Sequence, residues 1–141
     1  MTRAIPPFHL AFPVNHLDMA RHFYRTVMGC PEGRSTDQWI DFDFYGHQIV
    51  THLVPGHNGA AVVGKVDGHG VSVPHFGVVL DMASWEALVE KLRAGATQCG
   101  LEPCIRFMGL PGEQATMFFK DPSGNAIEIE AFASLNSLFA K

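Results

Sequence analysis

Eight histidines stand out in a chain of modest charge. Two of them hold matched places. His9 is second in Phe8-His9-Leu10-Ala11-Phe12-Pro13-Val14, and His75 is second in Pro74-His75-Phe76-Gly77-Val78-Val79-Leu80. Near the end of the chain, Glu128 and Glu130 alternate with Ile127 and Ile129. Two imidazoles and a carboxylate on one face make the donor set of non-haem iron(II) sites, with other coordination positions open. The same donors accept zinc, manganese, nickel or cobalt.

Strands must position these groups. Period-two patterning puts Phe8, Leu10, Phe12 and Val14 on one face and His9, Ala11 and Pro13 on the other. In the second segment Phe76, Val78 and Leu80 oppose His75, Gly77 and Val79. If the apolar faces meet helices, both histidines and both glutamates turn to a shared concave face. Ala11 and Gly77 are expected to leave open space beside the histidines.

A helix signal follows each strand. Asn15 or Asp18 can cap a run through Ala20, Phe23, Tyr24 and Val27 that stops at Gly29, and Asp81 or Ser84 can cap Trp85, Leu88, Val89 and Leu92. Strand-like segments follow over 31–36, 38–45 and 47–54 in the first half, and over 103–108, 115–119 and 125–132 in the second. The expected fold class is α+β. Two βαβββ modules, about 5–54 and 74–133, form a curved mixed sheet around one metal-binding cup. Residues 55–73 are glycine-rich and read as a linker or mobile flap. The whole, 1–141, is expected to be a single domain.

The repeat also speaks to ligand number. Aligning Gly46 with Gly124 pairs Val50 with Glu128 and His52 with Glu130. An apolar mate for Glu128 favours three ligands and open positions over four. His52 shares the concave face and is the best available general base, since a neutral imidazole takes a proton near pH 7. His47 with Tyr45 and Gly46 reads as a polar hairpin turn. His16, His22, His57 and His69 read as solvated, Glu130 as a rim residue, and Asp41 and Asp43 as the wet face of a strand. Trp39, Phe107, Met108, Met117 and Phe119 suit either a pocket wall or a core.

Composition limits the partners. The chain has 141 residues, 47% of them hydrophobic and 17% charged, with Lys+Arg 10 against Asp+Glu 14 for a net charge of −4. This is a globular composition without the basic stripe that nucleic acid requires. No apolar run approaches a membrane span, and the start carries no leader-like segment. Cys30, Cys99 and Cys104 lack a zinc-type spacing and suit a reducing cytoplasm, each as a small buried hydrophobe.

With His9, His22-Phe23-Tyr24 through Met28-Gly29, His75, and Phe119-Lys120-Asp121-Pro122-Ser123-Gly124-Asn125-Ala126-Ile127-Glu128 on the page, the chain resembles the vicinal oxygen chelate superfamily over about residues 5–133. That group includes glyoxalase I, extradiol dioxygenases, fosfomycin-resistance enzymes and bleomycin-binding proteins. Tyr45-Gly46-His47-Gln48 and the terminal strand are most similar to small predicted extradiol-type dioxygenases. The resemblance implies His9, His75 and Glu128 as ligands of a divalent metal, Fe(II) first, and a homodimer. It implies a small substrate chelated through adjacent oxygens and a dioxygenase-like reaction. The alternatives are a glyoxalase-type isomerase or lyase, or a non-catalytic drug-binding and resistance protein. Two departures bear on the reaction. The tyrosine of the extradiol signature falls at Phe118 and its histidine within Gly109-Leu110-Pro111, while the fourth carboxylate of glyoxalase I falls near Val50.

Overall fold

The computed structural model describes residues 4–59, 62–66, 69–95, 99–106, 109–110 and 113–139, with the side chains of 62, 63, 65, 66, 69, 99–104 and 106 outside the description. The chain divides into two compact units, Met1–Asn58 and Gly59–Lys141. Each holds one βαβββ module.

In the first unit, β1 (His9–Val14) leads into α1 (Leu17–Arg21), and β2 (Glu32–Ser35), β3 (Trp39–Phe44) and β4 (His47–Leu53) follow. The sheet order is β1-β4-β3-β2, with β1 parallel to β4 and the other pairs antiparallel. The Nδ1 of His16 caps α1 by accepting the Met19 N–H at 3.2 Å. Neither Asn15 nor Asp18 does so: Asn15 donates to the His57 carbonyl, and Asp18 pairs with Arg21. A widened π-helical turn, His22–Val27, continues the helix and closes with Met28 N–H on the Phe23 carbonyl. It carries Tyr24, fully buried, onto the sheet, where its ring meets Phe12 and Phe42 at 5.9 and 5.4 Å. Burial of each such ring contributes about 1.5–3 kcal/mol. Phe8, at the head of this apolar face, is instead 64% exposed, because it precedes β1.

In the second unit, β7 (Val79–Leu80), α2 (Met82–Ala94), β8 (Cys99–Arg106), β9 (Gln114–Lys120) and β10 (Ala126–Ala131) repeat the pattern in the order β7-β10-β9-β8. The strand expected from residue 74 becomes regular only at Val79. Before it, Phe76 forms an isolated parallel bridge to Ile127. The direction and the neighbour are those of β1 and β4, so the repeat holds in topology. Between the modules, the stretch read as a linker contains a hairpin of β5 (Val62–Val66) and β6 (His69–Val73).

α2 buries Trp85, Leu88, Val89 and Leu92, at helical spacing. The Trp85 indole N–H donates to the Ile129 carbonyl at 3.0 Å, which ties the helix to β10. Asp81 caps α2, accepting Ser84 N–H at 2.8 Å and the Ser84 hydroxyl at 2.9 Å. These hydrogen bonds, the backbone one first, hold its carboxyl below the usual carboxylate range.

Two turns set the register. Tyr45 and Gly46 both have positive φ, 54° and 88°, the two-residue turn that joins β3 to β4. The Asp121 carboxylate accepts the N–H groups of Ser123 and Asn125, both at 2.9 Å, and builds the turn from β9 to β10. Gly77 sets a third spacing. A Cβ there would collide with the Glu128 carbonyl, so the space expected to be open beside His75 is filled by the backbone of β10.

Three expectations follow. Gly77→Ala should cost about 1–3 kcal/mol or prevent folding, measured by denaturant unfolding. Ala11, with its side chain already present and exposed, should tolerate Ser. Asp81→Ala should lower Tm at neutral pH. Because the folded-state pKa is depressed, the cap stabilises above the ordinary carboxylate pKa of about 4 and is lost as pH falls through the lower folded value. The Tm difference between wild type and variant should therefore shrink across that window in acid.

Candidate metal centre

The face of the first unit opposite α1 reads in rows across three strands. Strand pairing aligns His9 with Gln48 and Asp43, then Ala11 with Val50 and Asp41, then Pro13 with His52 and Trp39. His9 is exposed, and its Nδ1 lies 2.7 Å from Gln48 Oε1. An amide oxygen only accepts, so Nδ1 donates to it and Nε2 is the ring nitrogen left to face another partner. Gln48 was not singled out from the sequence beyond its place in Tyr45-Gly46-His47-Gln48. Its signal is the register, which sets it directly across from His9.

The second unit brings two of the expected residues together. Nε2 of His75 lies 3.1 Å from Oε2 of Glu128. Nδ1 of His75 lies 2.6 Å from the Ser72 carbonyl oxygen, which again makes Nδ1 the proton-bearing nitrogen. A neutral ring would thus aim its Nε2 lone pair at a carboxylate oxygen. A proton on Nε2 or a cation between the two atoms relieves that opposition. Donors on one divalent ion, with bonds of about 2.1 Å, stand about 3.0–3.4 Å apart. The observed spacing fits that range, so the donor set suits a divalent metal.

The surroundings hold both side chains in place. The Phe118 ring meets the His75 ring edge-on at 4.9 Å. Phe118 lies opposite Glu128 in the β9–β10 ladder. The Thr116 hydroxyl donates to Glu128 Oε1 at 2.6 Å. Backbone bonds from Glu128 N–H to the Phe76 carbonyl and from Glu130 N–H to the Val78 carbonyl seat the His75 segment against β10. Glu130 lies on the same face, with its Oε1 accepting from Gln114 at 3.3 Å.

Other expected residues settle into definite roles. His52 is exposed and faces the same way as His9, but it stands two rows along β4 from Gln48. Four residues of strand are about 13 Å. Val50 is buried and apolar on the intervening row. Asp41, expected to be wet, is buried at 8% exposure, because Gly33 packs over it and Arg34 approaches it at 3.6 Å. Asp43 is exposed and accepts the Gly46 N–H. His47 accepts the Phe8 N–H at 2.8 Å and so ties the start of β4 to the residue before β1. Burial, with a smaller contribution from Cys30, pushes the Tyr45 phenol above its usual range, so it does not serve as a base near neutrality. Met117 and Phe119 pair with Ile129 and Ile127 on the buried face away from Glu128 and belong to the core. Cys30 is buried. Phe107, Met108 and Pro111 lie outside the described residues, as do the side chains of His69, Cys99 and Cys104. Among the described residues, no three His, Cys, Asp or Glu side chains gather as a metal-holding group. His9 lies in the first unit, and the His75–Glu128 pair lies in the second.

Comparison with known proteins agrees with this architecture. The sequence profile of the Glyoxalase/Bleomycin resistance protein/Dioxygenase superfamily matches residues 7–129, and the chain belongs to that superfamily. Among solved structures, it is similar to a glyoxalase/bleomycin resistance protein/dioxygenase from Alicyclobacillus acidocaldarius, at 28% identity and a TM-score of 0.82. That match covers 99% of this chain and 100% of the other. It shares its fold with the fosfomycin resistance protein FosX from Listeria monocytogenes, at 14% identity and a TM-score of 0.68, over 97% and 98% of the two chains. It also shares its fold with lactoylglutathione lyase from Agrobacterium tumefaciens, at 19% identity and a TM-score of 0.66, over 99% and 100%. Among curated proteins, no sequence matches the chain. No helix among the described residues is long and apolar enough to cross a membrane.

The metal reading has a direct check. Replacing His9, His75 or Glu128 with Ala should weaken divalent-metal binding by more than ~100-fold, read by isothermal titration of metal-free protein. Glu130→Ala should bind nearly as wild type, because Glu130 pairs with Val79, four residues along from His75, and its Oε1 accepts from Gln114.

Proposed function

We propose that the protein is a metal-dependent enzyme in which His9, His75 and Glu128 hold one divalent ion, Fe(II) first among the candidates. Its substrate is a small molecule that chelates through two adjacent oxygens. The observation that carries this reading is the facing of His75 Nε2 and Glu128 Oε2 at 3.1 Å, with the Nδ1 proton already committed to Ser72. Gln48 gives His9 the same tautomer. Three protein donors leave positions for both substrate oxygens. A divalent ion there would polarise those oxygens and, as Fe(II), would let O₂ react with the bound substrate, which itself supplies the electrons.

The chain's own groups do the rest. Ser72 and Gln48 orient the imidazoles, and Phe118 shields one edge of the His75 ring. His52 is the proposed base. Its distance along β4 assigns it to protons on the part of the substrate remote from His9. We read the single chain, 1–141, as one catalytic domain, and its working form as a homodimer in the cytoplasm.

A second reading is favoured by one residue. Phe118 occupies the place of the extradiol tyrosine, and its ring offers no proton. This supports proton-transfer chemistry without oxygen, of the isomerase or lyase kind, or sequestration of a drug-like molecule. Lactoylglutathione lyase and a fosfomycin resistance protein share the fold.

Anaerobic loading with Fe(II), followed by exposure to O₂ with vicinal diols, hydroxyketones and thiohemiacetals, separates these readings. Oxygen uptake with any of them supports the dioxygenase assignment. Turnover without uptake assigns the isomerase or lyase. Tight ligand binding by metal-free protein, with no turnover, contradicts the enzyme. In whichever reaction is found, His52→Ala should lower turnover by ~100-fold or more and leave metal content unchanged.

A further inference from the structure

Thr116 is fully buried in β9, opposite Glu130 and diagonal to Glu128. Its hydroxyl has one proton to donate, and Oε1 of Glu128 receives it at 2.6 Å. That length belongs to a charge-assisted O–H···O⁻ bond, the stronger kind. The other carboxylate oxygen, Oε2, is the one that faces His75. The two oxygens of Glu128 are therefore unlike: one is held by the protein and the other is turned toward the imidazole. The neighbouring side chains on that face do not substitute for the hydroxyl. Phe118 has no polar proton, and Gln114 donates to Glu130.

Carboxylates bind metal ions through one oxygen or through both. We propose that Thr116 is a positioning residue that restricts Glu128 to one-oxygen ligation through Oε2, and so keeps a coordination position open for the second oxygen of a chelating substrate. The proposal rests on the reading of His9, His75 and Glu128 as metal ligands. Without the hydroxyl, Oε1 is free to swing onto the ion and occupy the place that substrate needs. A purely structural threonine would fill volume only, and Val would serve as well.

The test titrates metal-free protein with Co²⁺ and reads affinity together with the visible absorption of the bound ion, whose bands report coordination number. Thr116→Val keeps the shape and removes the donor, while Thr116→Ser keeps the donor. Thr116→Val should change Co²⁺ affinity by ~10- to 100-fold and shift the absorption bands, and Thr116→Ser should restore both. A folded Thr116→Val protein with wild-type affinity and bands overturns the proposal. If Thr116→Val fails to fold, the infrared difference between Co²⁺-loaded and metal-free wild type, with ¹³C-labelled glutamate, decides. Widely split carboxylate stretches support one-oxygen ligation, and narrowly split ones overturn it. His75→Ala and Glu128→Ala distinguish the parent reading. If either binds Co²⁺ as wild type does, the ligand assignment fails and this proposal with it. If both lose the ion while Thr116→Val does not, only the positioning role fails.

Discussion

Nε2 of His75 and Oε2 of Glu128 stand 3.1 Å apart, a spacing that a proton or a cation between them satisfies. In this chain the opposition is built in from both sides. Ser72 holds the proton of His75 on Nδ1, and the Thr116 hydroxyl holds Oε1, leaving Nε2 and Oε2 toward each other. Each atom could have been satisfied by a protein donor. The arrangement turns the two atoms toward each other, where one positive charge, a proton on Nε2 or a cation, satisfies both. Phe118 and the backbone bonds between the His75 segment and β10 keep those two side chains in place.

The scaffold does this with backbone first. Gly77 lets the His75 segment run against β10 more closely than any side chain would permit. The Asp121 turn brings β9 and β10 into the register that sets Phe118 across from Glu128. α2 and its Trp85 hydrogen bond secure the far side of β10. In the first unit the same logic recurs with different parts. A two-residue turn through Tyr45 and Gly46 sets Gln48 beside His9, and the buried Tyr24 locks the helical segment onto the sheet. The two Nδ1 acceptors come from different places, the Gln48 side chain on β4 for His9 and the Ser72 carbonyl on β6, outside the repeated module, for His75.

The module pattern was legible because alternation and capping residues are local signals. Ile127 and Ile129 against Glu128 and Glu130, and Asp81 before an apolar helix, fall where the structure has them. What escaped depends on contacts distant in sequence. Gly77 looked like open space, yet it is an approach point for a strand 51 positions away (128 − 77). Asp41 alternated like a wet residue, yet packing by Gly33 buries it. Gln48 and Thr116 carried no pattern of their own. Their meaning comes from cross-strand register, which hydrophobic periodicity alone does not set. His16 escaped for another reason, since an imidazole nitrogen can cap a helix where Asn15 or Asp18 was the more obvious choice.

The central claim is that Nε2 of each histidine, not Nδ1, meets a single metal ion. Protein labelled with ¹⁵N at histidine and loaded with ¹¹³Cd²⁺ tests it by nuclear magnetic resonance. The account predicts one cadmium resonance with one-bond coupling to Nε2 of both His9 and His75. A cadmium signal without histidine coupling, or with coupling through Nδ1, would contradict it.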